Sequence, residues 1–133
     1  ATGPALFNTR SSPSSVTISL TPGQSNNITI TGFKTYLLYS MQVDHAAWVT
    51  LYNSSASRTA DSSRSIDTNP TPGSGVIAEI ITSAADTVYF TPAVIGYNSD
   101  DPISVNLPLK VYNNGTQTVT ITVTLNILQL EAS

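Results

Sequence analysis

The chain lacks cysteine altogether and carries little charge. Without cysteine, disulfides, thiolate metal sites and cysteine redox chemistry are excluded. Only 10% of the residues are charged, the formal net charge is −3, and the few basic residues are scattered along the chain. A surface that neutralises phosphates needs clustered lysine and arginine. The sequence therefore predicts no nucleic-acid partner.

Long apolar runs and catalytic histidines are also scarce. No apolar run approaches the ~20 residues that a helix needs to cross a bilayer, and the start of the chain lacks the features of a signal peptide, so no membrane partner is expected. The single histidine, His45, follows Asp44 directly, and neighbours on a turn rarely form an acid–base pair. No second histidine is present to complete a catalytic set. We expect no enzyme activity, no catalytic residue and no cofactor.

The carboxylates of the chain do not have the spacing of a calcium loop, and a role in capping turns is the simpler interpretation. No metal site is expected.

What the sequence does contain is alternation. Residues 103–111 and 119–127 each alternate apolar and polar side chains with the period of two that a half-buried strand requires. Asn113-Asn114-Gly115 lies between them and suits a tight turn. These features predict a long antiparallel hairpin. The same pattern in residues 16–20 and 28–30, separated by Pro22-Gly23, predicts a hairpin near the start of the domain.

Further strands are predicted at residues 34–43, 47–52, 76–81, 87–90 and 93–97, with no helical period anywhere. Eight or nine short strands with regular turn signals predict an all-β fold, an antiparallel β-sandwich of the jelly-roll or immunoglobulin-like type. Residues 1–15 contain Gly3, Pro4 and Pro13 among several serines, so we expect an extended N-terminal arm. The sandwich domain is predicted to occupy residues 16–133.

The segment 53–75 is the longest stretch without a strand pattern. Loops of this length in compact domains are usually functional or disordered, so it is the first place to look for a site. Arg58, Asp61, Arg64 and Asp67 alternate in sign along it. We expect these residues to hold the segment down by ion pairs.

Several apolar residues interrupt the alternation or lie in the arm, and exposed apolar area commonly marks a protein contact. The predicted particle or oligomer contacts are Leu6, Phe7, Tyr36, Leu38, Leu128 and Leu130. A homo-oligomer is expected, with a trimer as the first choice. Trp48 and Tyr52 are open to two interpretations, because they could belong to the core or form an aromatic strip that stacks on sugar rings.

Three stretches resemble small all-β virion proteins of tailed bacteriophages, particularly phages of cyanobacteria. They are residues 36–52 with their WVTLY ending, residues 55–64 (SASRTADSSR) and residues 72–80 (PGSGVIAEI), and the resemblance covers about residues 34–130. It implies a structural protein of the phage particle.

The function implied first is a capsid decoration (cement) protein, which binds the outer capsid surface and stabilises the head. Its partners would be the major capsid protein or other virion proteins, and it would lie on the virion surface after synthesis in the host cytoplasm. The alternative is a receptor- or carbohydrate-binding module of a tail or fibre, with Trp48 and Tyr52 as its contacts.

Overall fold

The computed structural model describes residues 9–131, which form eight strands and one short helix. The elements are β1 (Ser14–Val16), β2 (Ser25–Thr31), β3 (Thr35–Val43), β4 (Ala47–Tyr52), α1 (Ser55–Ala60), β5 (Val76–Ile81), β6 (Asp86–Tyr97), β7 (Asn106–Asn113) and β8 (Thr122–Gln129). Nothing in this described part forms a helix long and apolar enough to cross a membrane.

The strands form two four-stranded sheets. Sheet I has the order β1-β8-β3-β6 and sheet II the order β2-β7-β4-β5, and all neighbours are antiparallel. The first strand therefore pairs with the eighth, the second with the seventh, the third with the sixth and the fourth with the fifth. This nested pairing is the topology of a jelly roll. The predicted all-β sandwich is confirmed, and of the two predicted types the strand order selects the jelly roll.

The predicted C-terminal hairpin is wrong. β7 pairs with β2 and β4 in sheet II, whereas β8 pairs with β1 and β3 in sheet I. The chain crosses between the sheets after Asn113, whose buried amide Nδ2 donates to the carbonyl oxygens of Leu20 at 2.9 Å and Gln117 at 2.8 Å. The predicted first hairpin is wrong for the same reason, because β1 and β2 lie in opposite sheets. Alternation shows which face of a strand is buried, but it does not show which strand pairs with it.

The structure also explains the broken alternation of β3. Tyr36 and Leu38 are fully buried in the core, so the expectation that they offer exposed apolar contacts is wrong. The pairing of β3 with β8 shifts register after Leu38, which places an extra residue, Tyr39, in a β-bulge. The pairing with β6 shifts at the same place, but there the extra residues, 90–93, belong to β6. Because of this shift, Tyr36 and Leu38 before the bulge and Met41 and Val43 after it all face the core.

The core lies between the two sheets and is apolar except for the buried hydroxyl of Tyr36. Its fully buried members, each contributing about 1.5–3 kcal/mol if large, include Leu20, Ile30, Leu38, Met41, Val49, Leu51, Leu107, Leu109, Ile121, Val123, Leu125 and Ile127. The apolar faces predicted by alternation are buried at Leu107, Leu109 and Val111 and at Ile121, Val123, Leu125 and Ile127, although from opposite sheets. The first of these strands begins later than predicted, because β7 starts at Asn106 and Ile103 is 54% exposed.

A charge on each face of β8 tests this arrangement. Val123→Asp places an unpaired carboxylate in the core, and we expect a loss of about 4 kcal/mol or more in the free energy of unfolding, or no folding at all. Thr124→Asp points away from the core, beside Ser40, Gln42 and Asn126, and should cost about 1 kcal/mol or less. Urea denaturation followed by circular dichroism measures both, and equal losses would contradict the assignment of the faces.

Candidate interaction surface

The part of the outer face of sheet II around β4 is covered by the chain itself, whereas the outward residues of β2 are exposed. Trp48, Thr50 and Tyr52 of β4 point away from the core, yet they are only 3%, 1% and 1% exposed. Residues 53–75, which contain α1, lie over them, so β4 is buried on both sides. The sequence predicts no helix here. The six-residue helix α1 begins after Ser54, whose Oγ accepts a hydrogen bond from the amide of Ser57 at 3.0 Å, as an N-cap does.

Arg64 holds the covering segment on the sheet. Its Nε donates to both carboxylate oxygens of Asp61 at 2.9 and 3.0 Å, and its Nη1 donates to the carbonyl of Thr68 at 2.8 Å. Nη2 donates to Glu79 on β5, and the guanidinium carbon lies 5.2 Å from the centre of the Trp48 ring. The Arg64 side chain is 7% exposed. One buried cation therefore joins the segment to β4 and β5.

Other polar groups complete this cluster. The Tyr52 hydroxyl donates to Asp61 at 2.6 Å. Lys110 Nζ donates to the carbonyl of Ser62 at 3.1 Å and lies 5.1 Å from the centre of the Trp48 ring. Arg58 Nη1 donates to main-chain carbonyls of β2 and β7 at 3.0 and 3.3 Å. The predicted ion pairing within the segment is confirmed for Arg64 and Asp61, and it extends to groups remote in sequence.

The pKa values of these groups follow from their contacts. Burial is the largest single influence on both carboxylates and acts to raise the pKa, but the hydrogen bonds and charge of Arg64, together with hydrogen bonds from Tyr52 to Asp61 and from Thr50 to Glu79, outweigh it and lower the pKa of both groups below the ordinary values. Burial and the hydrogen bond to Asp61 raise the pKa of the Tyr52 hydroxyl, and burial lowers the pKa of Lys110. Arg64, Asp61 and Glu79 thus bind one another, and these three residues are called the clamp below. Their mutual pairing suits a structural role.

The structure settles the two interpretations of Trp48 and Tyr52. Both rings are buried under the covering segment, and Trp48 packs edge-on against Tyr112 with ring centres 5.5 Å apart. They cannot stack on a sugar. A glycan contact at Trp48 and Tyr52 is therefore wrong, and their interpretation as packed residues holds.

The outer face of sheet I, here called the open face, is different. Its outward side chains include Leu37, Tyr39, Tyr89, Ile95, Tyr97 and Leu128. In register, Leu37 lies between Ile95 on β6 and Leu128 on β8, which makes an apolar row across three strands. Tyr89 is 74% and Ile95 66% exposed. The open face thus has an aromatic and aliphatic part in contact with solvent, and beside it a polar part that includes Gln42, Thr124 and Asn126.

Two of the predicted contact residues lie at this face. Leu128 is half-buried in the apolar row, and Leu130, just beyond β8, is 49% exposed. Their role as contacts stays a prediction. Leu6 and Phe7 lie outside the described residues. Residues 9–15 run along the edge of sheet I, where Ser11 bridges to β8 and Arg10 lies over the Tyr39 ring at 3.8 Å.

A groove of 420 Å³ continues the open face toward sheet II. It is lined by residues 70–77 together with Asn53, Ile95 and Tyr97, and Asn53 Nδ2 donates to the Tyr97 hydroxyl at 3.4 Å. Sequence reasoning missed Tyr89, Ile95 and Tyr97 as surface candidates. Their alternation predicts one outward face of β6, but not that this face lacks a covering layer.

The isolated acidic and histidine side chains do not gather into a second site. His45 and Asp44 are 4.0 Å apart, and Asp44 Oδ1 accepts a hydrogen bond from the amide of Thr122 at 2.8 Å. Within residues 9–131, no three carboxylate or histidine side chains lie where they could share a metal ion.

Comparison with known proteins gives no relative: no family model, no curated protein and no solved structure matches this chain.

Removing the central cation tests the clamp. Arg64→Gln leaves Asp61 and Glu79 with uncompensated charge, and breaking such a buried set costs about 3 kcal/mol of unfolding free energy at pH 7. Arg10→Gln removes a cation from the half-buried Tyr39 ring at the surface of sheet I and should cost about 1 kcal/mol or less. Urea denaturation followed through the single tryptophan, Trp48, measures both, and equal costs would contradict the clamp.

The loss of unfolding free energy caused by Arg64→Gln should depend on pH. Because the folded-state pKa values of Asp61 and Glu79 are lowered, the unfolded chain binds more protons than the folded one as pH falls below about 4. The stability that Asp61 and Glu79 contribute to the folded chain is therefore fully present at pH above the ordinary carboxyl pKa. It is lost as the pH falls through their lowered folded-state pKa values. The stability difference between the natural chain and Arg64→Gln should therefore shrink in acid, and a difference independent of pH would argue against the ion pairs.

Proposed function

We propose that this chain is a non-enzymatic structural protein that binds the outside of a bacteriophage capsid through its open face and stabilises the head as a decoration protein. The observation that carries the proposal is the contrast between the two sheets. Sheet II buries its outer aromatic residues under residues 53–75, while sheet I leaves Tyr89 and Ile95 in solvent. A rigid sandwich with one uncovered aromatic face suits docking on a larger surface.

The composition of the open face fits a protein contact. Interface centres are depleted in charged residues, more apolar than the rest of the surface, and enriched in aromatic residues such as tyrosine. The defining residues of the open face are uncharged, and three of them are tyrosines. Attraction to a partner would then come mainly from apolar burial, so binding should depend little on salt concentration.

The choice of a phage particle has separate support. Jelly rolls occur in viral capsid domains and in lectins, but a fold does not determine a function. The phage assignment rests on the resemblance of residues 36–52, 55–64 and 72–80 to virion proteins. On this proposal the partner is the major capsid protein and the location is the virion surface.

A carbohydrate-binding module of a tail or fibre is the second candidate. With Trp48 and Tyr52 buried, the exposed ring of Tyr97 at the edge of the 420 Å³ groove is the feature that favours it. Aromatic rings beside polar grooves serve as platforms for flat ligands. Tyr97→Ala, which leaves the Arg64 cluster intact, would then abolish binding to a glycan array.

Co-sedimentation with undecorated phage heads tests the first candidate. Ile95→Asp places a charge in the apolar row of the open face and should weaken head binding about tenfold or more. Ile18→Asp is the matched control, because Ile18 is equally exposed at 67% but lies between β1 and β2. The natural chain and Ile18→Asp should both sediment with heads at micromolar concentration.

Two results would count against this proposal. One is a natural chain that stays in the supernatant, and the other is equal binding by Ile95→Asp and Ile18→Asp. Specific glycan binding that Tyr97→Ala abolishes, without head binding, would favour the second candidate.

A further inference from the structure

The two sides of the sandwich end in strands of opposite character. On one side lie β1, which has three residues, and β2, whose sequence is SNNITIT. On the other side lie β5, whose sequence is VIAEII, and β6. Exposed end strands are normally protected by shortness, by polar or charged side chains, or by proline. β6 contains Pro92, which has no amide hydrogen to offer, whereas β5 has no proline, and its one charged side chain, Glu79, is bound to Arg64.

The main chain of β5 has a free side. β5 is the last strand of sheet II and pairs only with β4. Just after β5, the amide of Thr82 donates to the carbonyl of Ala47 at 2.8 Å and so faces β4. Since amides along a strand alternate in direction, those of Glu79 and Ile81 point away from β4. These groups are positioned to pair with a further strand.

The core is incompletely covered on this same side. Ile77 on β5 and Val88, Phe90 and Val94 on β6 pack against the core but remain partly exposed. Ile81 at the end of β5 is 53% exposed. A strand added to β5 would cover these side chains as well as satisfying the free amides.

We propose that β5 pairs antiparallel with β5 of a second copy of this chain, so that two copies of sheet II join across a twofold axis. Charge favours a second copy as the occupant. The only charge on β5, Glu79, is already bound by Arg64, so two such edges approach without a free like charge on either strand. A pairing centred on Ile80 sets Glu79 opposite Ile81 of the partner copy and brings the outward amides of both strands into hydrogen-bonded positions.

Such a contact is isologous and closes with two copies. It therefore gives a dimer in place of the trimer expected from the sequence. The β5 edge adjoins the open face through the groove lined by Ile77 and Ile95, but pairing uses the main chain of β5 and the proposed capsid contact uses the outward side chains of sheet I. This inference does not rest on the proposed capsid function, and either can fail without the other.

The test is sedimentation equilibrium of the full chain over a range of micromolar concentrations. The natural chain should be a dimer. Ile81→Pro removes an outward amide without removing a bond to β4 and should raise the dissociation constant about tenfold or more. Thr29→Pro is the matched control on the other end strand of sheet II. It lies opposite Pro108, at a position whose amide also faces away from its partner strand, and it should leave the dimer unchanged.

Ile81→Lys is a second variant for the case in which Ile81→Pro does not fold, because it keeps the amide of residue 81. A lysine on an end strand opposes pairing with another strand but leaves the pairing of β4 with β5 intact. It should also weaken the dimer, with an unchanged circular dichroism spectrum. Hydrogen exchange gives a second readout, since the amides of Glu79 and Ile81 should exchange more slowly as the protein concentration rises. A natural chain that is monomeric throughout, or folded Ile81→Pro and Ile81→Lys variants that dimerise as the natural chain does, would overturn the proposal.

Discussion

The guanidinium of Arg64 is buried between the covering segment and sheet II, and a charge in such a place is tolerated only while its partners stay in position. Asp61 comes from the segment itself and Glu79 from β5, so the cation links a long irregular stretch to the sheet. Trp48 and Tyr52 are buried as a result. The segment therefore acts as a third layer of the fold, over β4 on the outer side of sheet II.

Because of this constraint, the outer faces of the two sheets differ, and the molecule is in this sense two-sided. Sheet II buries the outward residues of β4 under residues 53–75, whereas sheet I presents Tyr89 and Ile95 on the open face. The free edge of β5 belongs to sheet II but faces sideways, where the core is least covered. Binding to a larger particle and pairing of two copies thus use different parts of the surface, and neither requires the clamp to open.

The sequence predicts which residues are buried far better than which strands are neighbours. Val123 and Leu125 face the core as their alternation predicts, but a period of two does not tell a hairpin from two strands facing each other across a core. Alternation places Tyr36 on the exposed face of β3, because the sequence carries no signal for the one bulged residue that reverses the faces of the strand. Pro108, which has no amide hydrogen, lies opposite Thr29 of β2 and just beyond the last pair of β4 with β7. Glu79 joins Arg64 only through tertiary contact.

Chemical modification of the tyrosines, with the modified residues identified by peptide mapping, tests the two-sided account most directly. Tyr89 and Tyr97 on the open face should be nitrated readily, because they are 74% and 48% exposed. Tyr52 under the covering segment should be as protected as Tyr36 in the core, since each is 1% exposed or less. Nitration of Tyr52 at the rate of Tyr89 in the folded chain would contradict the account.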